Sequence, residues 1–335
     1  MAVVNSYVSL NTIDPSAWYG QVYEASSTRL VVSDGFLTAV YDGYDFRYSA
    51  DYYLTGGVLT GYSQYDGDQL ASETYDFQIP AHLADGYIAS NRLGDLFSLV
   101  LAGDDEIFGS VHADRISGYD GNDYIYGNGG DDYINGAGGD DVIYLGSGSS
   151  SVAGGAGLDW VVLQGVGNNY RLERFSAELD LYSAADRIDA TLTGVERLQF
   201  DDGVLALDLN GNAGQVYRLY QAAFERTPDN EGLKYWIGRM DEGNTTLVDI
   251  ADSFLYSPEF VSTFGTEQTV SDAEFVDLLY THTLGRDYDQ GGYNYWVGKL
   301  AAGETNRRDL LAFFSESNEN KAQTIGEISD GIWLY

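Results

Sequence analysis

The chain has 335 residues, 44% of them hydrophobic, with 41 glycines, 28 tyrosines, 4 prolines and no cysteine. A formal net charge of -35 repels nucleic acid phosphates and anionic lipid headgroups, so neither nucleic acid binding nor membrane insertion is expected, whereas cations are attracted. Without cysteine, a disulfide scaffold and a thiolate metal site are excluded.

The length allows two or three domains. The start, MAVVNSYVSLNTIDPS, has no basic n-region and no apolar h-region, so a classical secretory signal is not expected. No apolar run approaches a membrane span. Residues 1–99 alternate polar and apolar positions, as in TRLVVSD (28–34), and break at Gly-Gly and Asp-Gly pairs. They read as strands of a β-rich domain of unknown role. His82 follows Pro80 in an expected loop.

Residues 100–162 are a strict repeat of seven nonapeptides, from VLAGDDEIF to GGAGLDWVV. Position six carries Asp105, Asp114, Asp123, Asp132, Asp141, Ser150 and Asp159, and position eight an Ile or Val. Position four is Gly except for His112. Residues 163–206 return to a strand pattern and read as a cap, because stacked repeats need covered ends. Residues 207–325 change to a helical period and repeat internally. LYQAAFERTPDNEGLKYW (219–236) matches LYTHTLGRDYDQGGYNYW (279–296), so Tyr220, Arg226, Asp229 and Trp236 recur as Tyr280, Arg286, Asp289 and Trp296. Ser271 with Glu274 predicts a capping box. The expected fold class is thus multidomain, mainly β then α: an N-terminal β domain, a parallel β-roll with capping strands, an all-α domain of two pseudo-repeats, and a tail at 326–335.

The nonapeptide fits GGxGxDxUx. A six-residue turn and a three-residue strand make half a coil, and only the U side chain points inward. Glycine supplies the positive φ such turns need. Coils stack at roughly 4.8 Å, and Ca²⁺ bonds oxygen at about 2.3–2.6 Å, so one ion fits between aspartates eighteen residues apart. The expected pairs are Asp105 with Asp123, Asp123 with Asp141, Asp141 with Asp159, and Asp114 with Asp132, holding about four to five Ca²⁺ in the roll. Asp132 faces Ser150, which predicts a weak rung. Candidate backbone carbonyl ligands are Gly109, Gly118, Gly127 and Gly136 at position one, and Gly121, Gly130, Gly139 and Gly157 at position four. Asp131 and Asp140, at position five, are expected to offer only backbone oxygen and surface charge. If each site binds about tenfold tighter than ambient calcium, each contributes about 1.4 kcal/mol and four about 6 kcal/mol. That matches the whole stability of a small domain, so the segment should fold only where calcium is abundant.

These repeats resemble the haemolysin-type calcium-binding repeats of the repeats-in-toxin family. The resemblance implies a parallel β-roll and export, unfolded, through a type I secretion channel with an uncleaved C-terminal signal. The end, SDGIWLY (329–335), is similar to family C-termini, making Asp330, Ile332, Trp333, Leu334 and Tyr335 a candidate export signal; a terminal strand packing on the helical domain is the rival reading. The LY…R…D…G…YW pattern resembles a bacterial domain of unknown function related to phycobilisome linker modules, which implies surface or matrix proteins and no known reaction.

His82, His112 and His282 lie in three regions, which argues against a hydrolytic triad or catalytic zinc. His282 sits on a predicted helix and reads as a packing residue. DLNGNAG (208–214) begins like a helix-loop-helix calcium loop, but Ala213 and Leu219 stand where Gly and Glu belong, so it reads as a turn that starts a helix. The Tyr-Trp pairs fit a core better than sugar platforms. The sequence therefore reads as a secreted, extracellular or cell-surface, non-catalytic calcium-binding protein that self-assembles into a surface layer, fibre or biofilm matrix. The alternatives are a monomeric adhesin that binds surface polysaccharide, and a small hydrolase with its active site in residues 1–99.

Overall fold

The computed structural model describes residues 1–12, 20–175, 178–266 and 268–335. It divides into two compact units, residues 1–202 and 203–335.

In the first unit, β1 (Val3–Ser6) precedes an antiparallel meander of β2 (Gln21–Ala25), β3 (Arg29–Ser33), β4 (Leu37–Tyr48), β5 (Leu54–Asp66) and β6 (Gln69–Pro80). The turns follow from their residues. Asp34 accepts the N–H groups of Phe36 and Leu37, both at 2.8 Å, while Gly35 takes φ 96°. The strand pattern does not continue to residue 99 as expected. Two helices intervene, α1 (Ala81–Ala89) and α2 (Leu93–Val100). Pro80 is the N-cap of α1 and fixes the chain's entry, so His82 lies exposed on a helix and not in a loop.

The roll follows as β7 (Glu106–Phe108), β8 (Arg115–Asp120), β9 (Tyr124–Tyr126), β10 (Tyr133–Gly138), β11 (Val142–Tyr144), β12 (Gly148–Ala156) and β13 (Trp160–Val162). Successive strands alternate between two parallel sheets, β7-β9-β11-β13 and β8-β10-β12. Ile107 stands beside Ile125 and Ile125 beside Ile143, so one coil is eighteen residues. The seven position-eight side chains fill the interior and none is more than 1% exposed. Burying each contributes about 1.5–3 kcal/mol. Outside, the position-nine rings of Phe108, Tyr126 and Tyr144 stack at 4.5 and 4.4 Å, which the repeat spacing imposes.

Both ends of the roll are covered. At one end β16 (Ile188–Thr193) pairs with β12 and β17 (Arg197–Phe200) with β13, while β14 (Arg171–Phe175) and β15 (Glu178–Ser183) extend the sheet antiparallel. At the other end β1 lies parallel to β7, with Val4 opposite Ile107, and Asn11 bridges Arg115. Residues 2–11 thus form one more coil, a role their sequence does not announce because they carry no nonapeptide.

The second unit contains β18 (Gly203–Ala206), α3 (Asn212–Phe224), α4 (Asn230–Asp241), α5 (Leu247–Leu255), α6 (Pro258–Phe264), α7 (Asp272–Leu278), α8 (Gln290–Ala301), α9 (Arg307–Ser315), α10 (Asn318–Ile328) and β19 (Ile332–Leu334). Helices α3–α6 recur as α7–α10 at an offset of sixty. Arg226 clamps Glu259 at 2.6 Å and Arg286 clamps Glu319 at 2.6 Å, each fixing one copy. The Ser271–Glu274 capping box is present, as is a second at Thr246–Asp249. DLNGNAG is a turn: the Asp208 carboxylate accepts the Ala213 N–H at 3.1 Å where α3 begins. Trp236 and Trp296 pack against the helical core. His282, in a π-helical turn at 279–283, sets its ring edge against Phe264 and its Nδ1 on Glu225. The chain's end forms a strand, with Leu334 opposite Val204 and both Ile332 and Leu334 buried among the helices.

Candidate metal centre

Each position-six aspartate is held by a bond from the coil before it. The Asp105 N–H donates to Asp123 Oδ1 at 2.9 Å, that of Asp123 to Asp141 Oδ1 at 2.9 Å, and that of Asp141 to Asp159 Oδ1 at 3.0 Å. On the opposite edge the Asp114 N–H donates to Asp132 Oδ1 at 3.0 Å, and that of Asp132 to Ser150 Oγ at 3.3 Å. Partners are therefore eighteen residues apart.

The second carboxylate oxygen distinguishes the edges. Oδ2 of Asp105, Asp123, Asp141 and Asp159 is buried with no hydrogen-bond partner, and none of the four residues is more than 2% exposed. An ionised oxygen so placed is costly unless a counter-charge meets it. On the other edge Asp114 Oδ2 accepts the Ser110 N–H at 2.7 Å. Desolvation by burial raises Asp123 to about 8, with Asp141 and Asp105 adding repulsion. Burial likewise brings Asp159 to about 7 and Asp132 and Asp141 to about 6, and raises Asp105.

The glycines form the other wall. A Cβ on Gly118 would lie 2.2 Å from Asp123 Oδ2 and 2.8 Å from the Gly136 carbonyl oxygen. A Cβ on Gly136 would lie 2.1 Å from Asp141 Oδ2 and 2.5 Å from the Gly154 oxygen. Gly109 meets Asp114 Oδ2 and the Gly127 oxygen in the same way, and Gly127 meets Asp132 Oδ2. Position-four glycines stack on each other: Gly121, Gly130, Gly139 and Gly157 all have positive φ, and a Cβ on Gly139 or Gly157 would lie 2.0 Å from the oxygen of Gly121 or Gly139. The Gly109 carbonyl also accepts from Asn128 Nδ2 at 2.8 Å.

Among the described residues no three His, Cys, Asp or Glu side chains group as a metal site. Two carboxylates per rung require backbone carbonyls to complete six or more oxygen ligands, the donor set of Ca²⁺. The orphaned oxygens, the space that only glycine leaves and the all-oxygen donors fit that ion. Bound there, it would neutralise buried carboxylates and tie coil to coil.

Position five also bonds, contrary to expectation. Asp104 Oδ1 accepts the Asn122 N–H at 2.8 Å, Asn122 Oδ1 that of Asp140 at 2.7 Å, Asp140 Oδ1 that of Leu158 at 2.7 Å, and Asp131 Oδ1 that of Ser149 at 2.8 Å. A side chain at a turn competes well for a neighbouring backbone donor. Sequence reasoning also missed Glu196, whose Oε2 accepts the Asp159 N–H at 3.0 Å. The signal was Gly194-x-Glu196-x-Leu198, a nonapeptide ending with Glu for Asp, set beyond a long insertion.

The family profile of the RTX calcium-binding nonapeptide repeat (4 copies) matches residues 101–125, 108–143, 117–152 and 135–163. That of a domain of unknown function (DUF4214) matches residues 211–264 and 251–324. The repeats of the first family bind Ca²⁺. Among curated proteins none matches the chain. Among solved structures, the extracellular lipase LipA from Serratia marcescens is similar at 23% identity over 29% of this chain, with a TM-score of 0.21. The match spans 14% of that lipase.

Proposed function

We propose that this chain is a secreted, non-catalytic calcium-binding protein of the bacterial exterior, folded by calcium and self-assembling into a surface layer, fibre or biofilm matrix. The observation that carries the calcium reading is the row of four buried, partnerless carboxylate oxygens at eighteen-residue intervals. Proteins with such repeats are typically secreted, and no helix among the described residues is long and apolar enough to cross a membrane. Assembly is supported by β2, the terminal strand of its sheet. Its outer edge pairs with no strand among the described residues, and Val22 and Tyr23 on it are exposed. Such an edge is a template for another chain. The terminal residues Asp330 to Tyr335 keep the proposed export role, exercised while the chain is unfolded and before β19 forms.

Electron microscopy and light scattering of the purified chain, with millimolar calcium and with chelator, test this reading. Calcium-dependent assemblies are expected; monomers that persist at millimolar calcium would overturn assembly. A second reading, a monomeric carbohydrate-binding adhesin, draws on Tyr235 and Tyr295. Both are exposed at equivalent places of the two helical copies, with Arg239 and Lys299 over their rings. A glycan array on the monomer distinguishes it. For the hydrolase reading, the place to look is a cavity of about 270 Å³ in the first unit, lined by Tyr41, Tyr62, Gln64 and Phe97 among others.

A further inference from the structure

The chain leaves the repeat after Val162 and rejoins it at β17, where Trp160 stands opposite Arg197 and Val161 opposite Leu198. That register sets Glu196 opposite Asp159, where a ladder aspartate would come next. Its Oε2 takes the Asp159 N–H at 3.0 Å, just as Asp159 Oδ1 takes that of Asp141 at 3.0 Å. Asp159 itself is fully buried and its Oδ2 has no partner. That oxygen faces a cradle of the kind found within the repeat. A Cβ on Gly154 would lie 2.6 Å from Asp159 Oδ2 and 2.0 Å from the Gly194 carbonyl oxygen. One rung earlier, Gly136 has the same relation to Asp141 Oδ2 and the Gly154 oxygen.

We propose that Asp159, Glu196 and the Gly194 carbonyl form a further site for a hard divalent cation, Ca²⁺, beyond the last nonapeptide. The site rests on the calcium reading above. Its donors are two carboxylates and a carbonyl, as at the repeat rungs, but one wall comes from a segment outside the repeat. A cation here joins the cap to the roll and gives the last buried aspartate the counter-charge it lacks.

The test counts ions on the full chain by equilibrium dialysis against Ca²⁺. Glu196→Gln retains an acceptor for the Asp159 N–H but loses the charge, and is expected to bind one ion fewer. An unchanged count in folded Glu196→Gln, folding being judged by circular dichroism, overturns the site. Should that variant not fold, anomalous diffraction from terbium-loaded crystals of the unaltered chain decides. A peak between Asp159 and Glu196 is expected; peaks at the repeat rungs with none there overturn this site alone. No calcium bound anywhere by the unaltered chain overturns the calcium reading itself.

Discussion

The Asp132 N–H donates to the Ser150 hydroxyl at 3.3 Å, so serine keeps the ladder's hydrogen bond while withdrawing its charge. Position one of the same unit is Leu145, where the units before and after it have Gly136 and Gly154. Fold and metal site are separated at this rung. Ser150→Asp restores the second carboxylate and is expected to add one calcium to the count by calorimetric titration. No added ion would assign the block to Leu145 and remove Ser150 as the cause of the weak rung.

Asp123 is bonded on both sides, accepting from Asp105 and donating to Asp141. Asp123→Ala should therefore lose two ions. With each site held about tenfold tighter than the calcium present, the roll should lose about 3 kcal/mol at that concentration. Unchanged stoichiometry together with an unchanged melting temperature would sink the eighteen-residue pairing.

Gly136 does not adopt a positive φ, so alanine there strains no backbone. Its methyl would still lie 2.1 Å from Asp141 Oδ2. Gly136→Ala is expected to cost about 1–3 kcal/mol by overpacking and to weaken calcium at that rung. Gly129→Ala is the control, because its nearest neighbours are Ser147 atoms at 3.5 Å, and a change within about 0.5 kcal/mol is expected. Equal melting shifts for the two would argue that the cradle has no role.

Burial raises Asp123 to about 8, Asp159 to about 7, and Asp132 and Asp141 to about 6 in the metal-free roll. The unfolded chain titrates near 3.9, about the ordinary value. Between these limits the folded state binds more protons than the unfolded one, so stability falls as pH rises from about 4 to about 8. Without calcium, protonation is the remaining way to neutralise the buried aspartates, so metal-depleted protein is expected to retain more folded roll by circular dichroism at pH 5 than at pH 8. Saturating calcium should reverse the order, because the ion needs ionised carboxylates. A metal-depleted roll more stable at pH 8 would contradict the buried-carboxylate account.

The roll was legible because its chemistry is periodic: Ile125 and Asp123 recur at fixed offsets, and each offset has one geometric meaning. The helical duplication was legible for the same reason, through Arg226 and Arg286. What escaped was aperiodic. The N-terminal coil contributes Val4 and Leu10 through pairing alone. Glu196 is separated from its rung by an insertion. Helices α1 and α2 are short, and strand-like alternation upstream masked them. Position five was misread because its doublets look like charge, whereas their carboxylates are spent on backbone donors.

The two bonded rows run in opposite senses. Asp123 reaches back to the amide of Asp105, while Asp104 reaches forward to that of Asn122. Neighbouring coils are thus stitched both ways by the same few atoms, and at position six the coil at 109–126 is a chemical substitute for the one at 127–144. Excising residues 109–126 sets Asp105 against Asp141 and Asp104 against Asp140, so both rows keep a partner, whereas excising 136–144 puts Ser150 where the Asp141 row belongs. The roll is therefore a ruler with whole-coil graduations, its length adjustable in steps of roughly 4.8 Å, and only its two non-repeating ends say where the scale begins and stops.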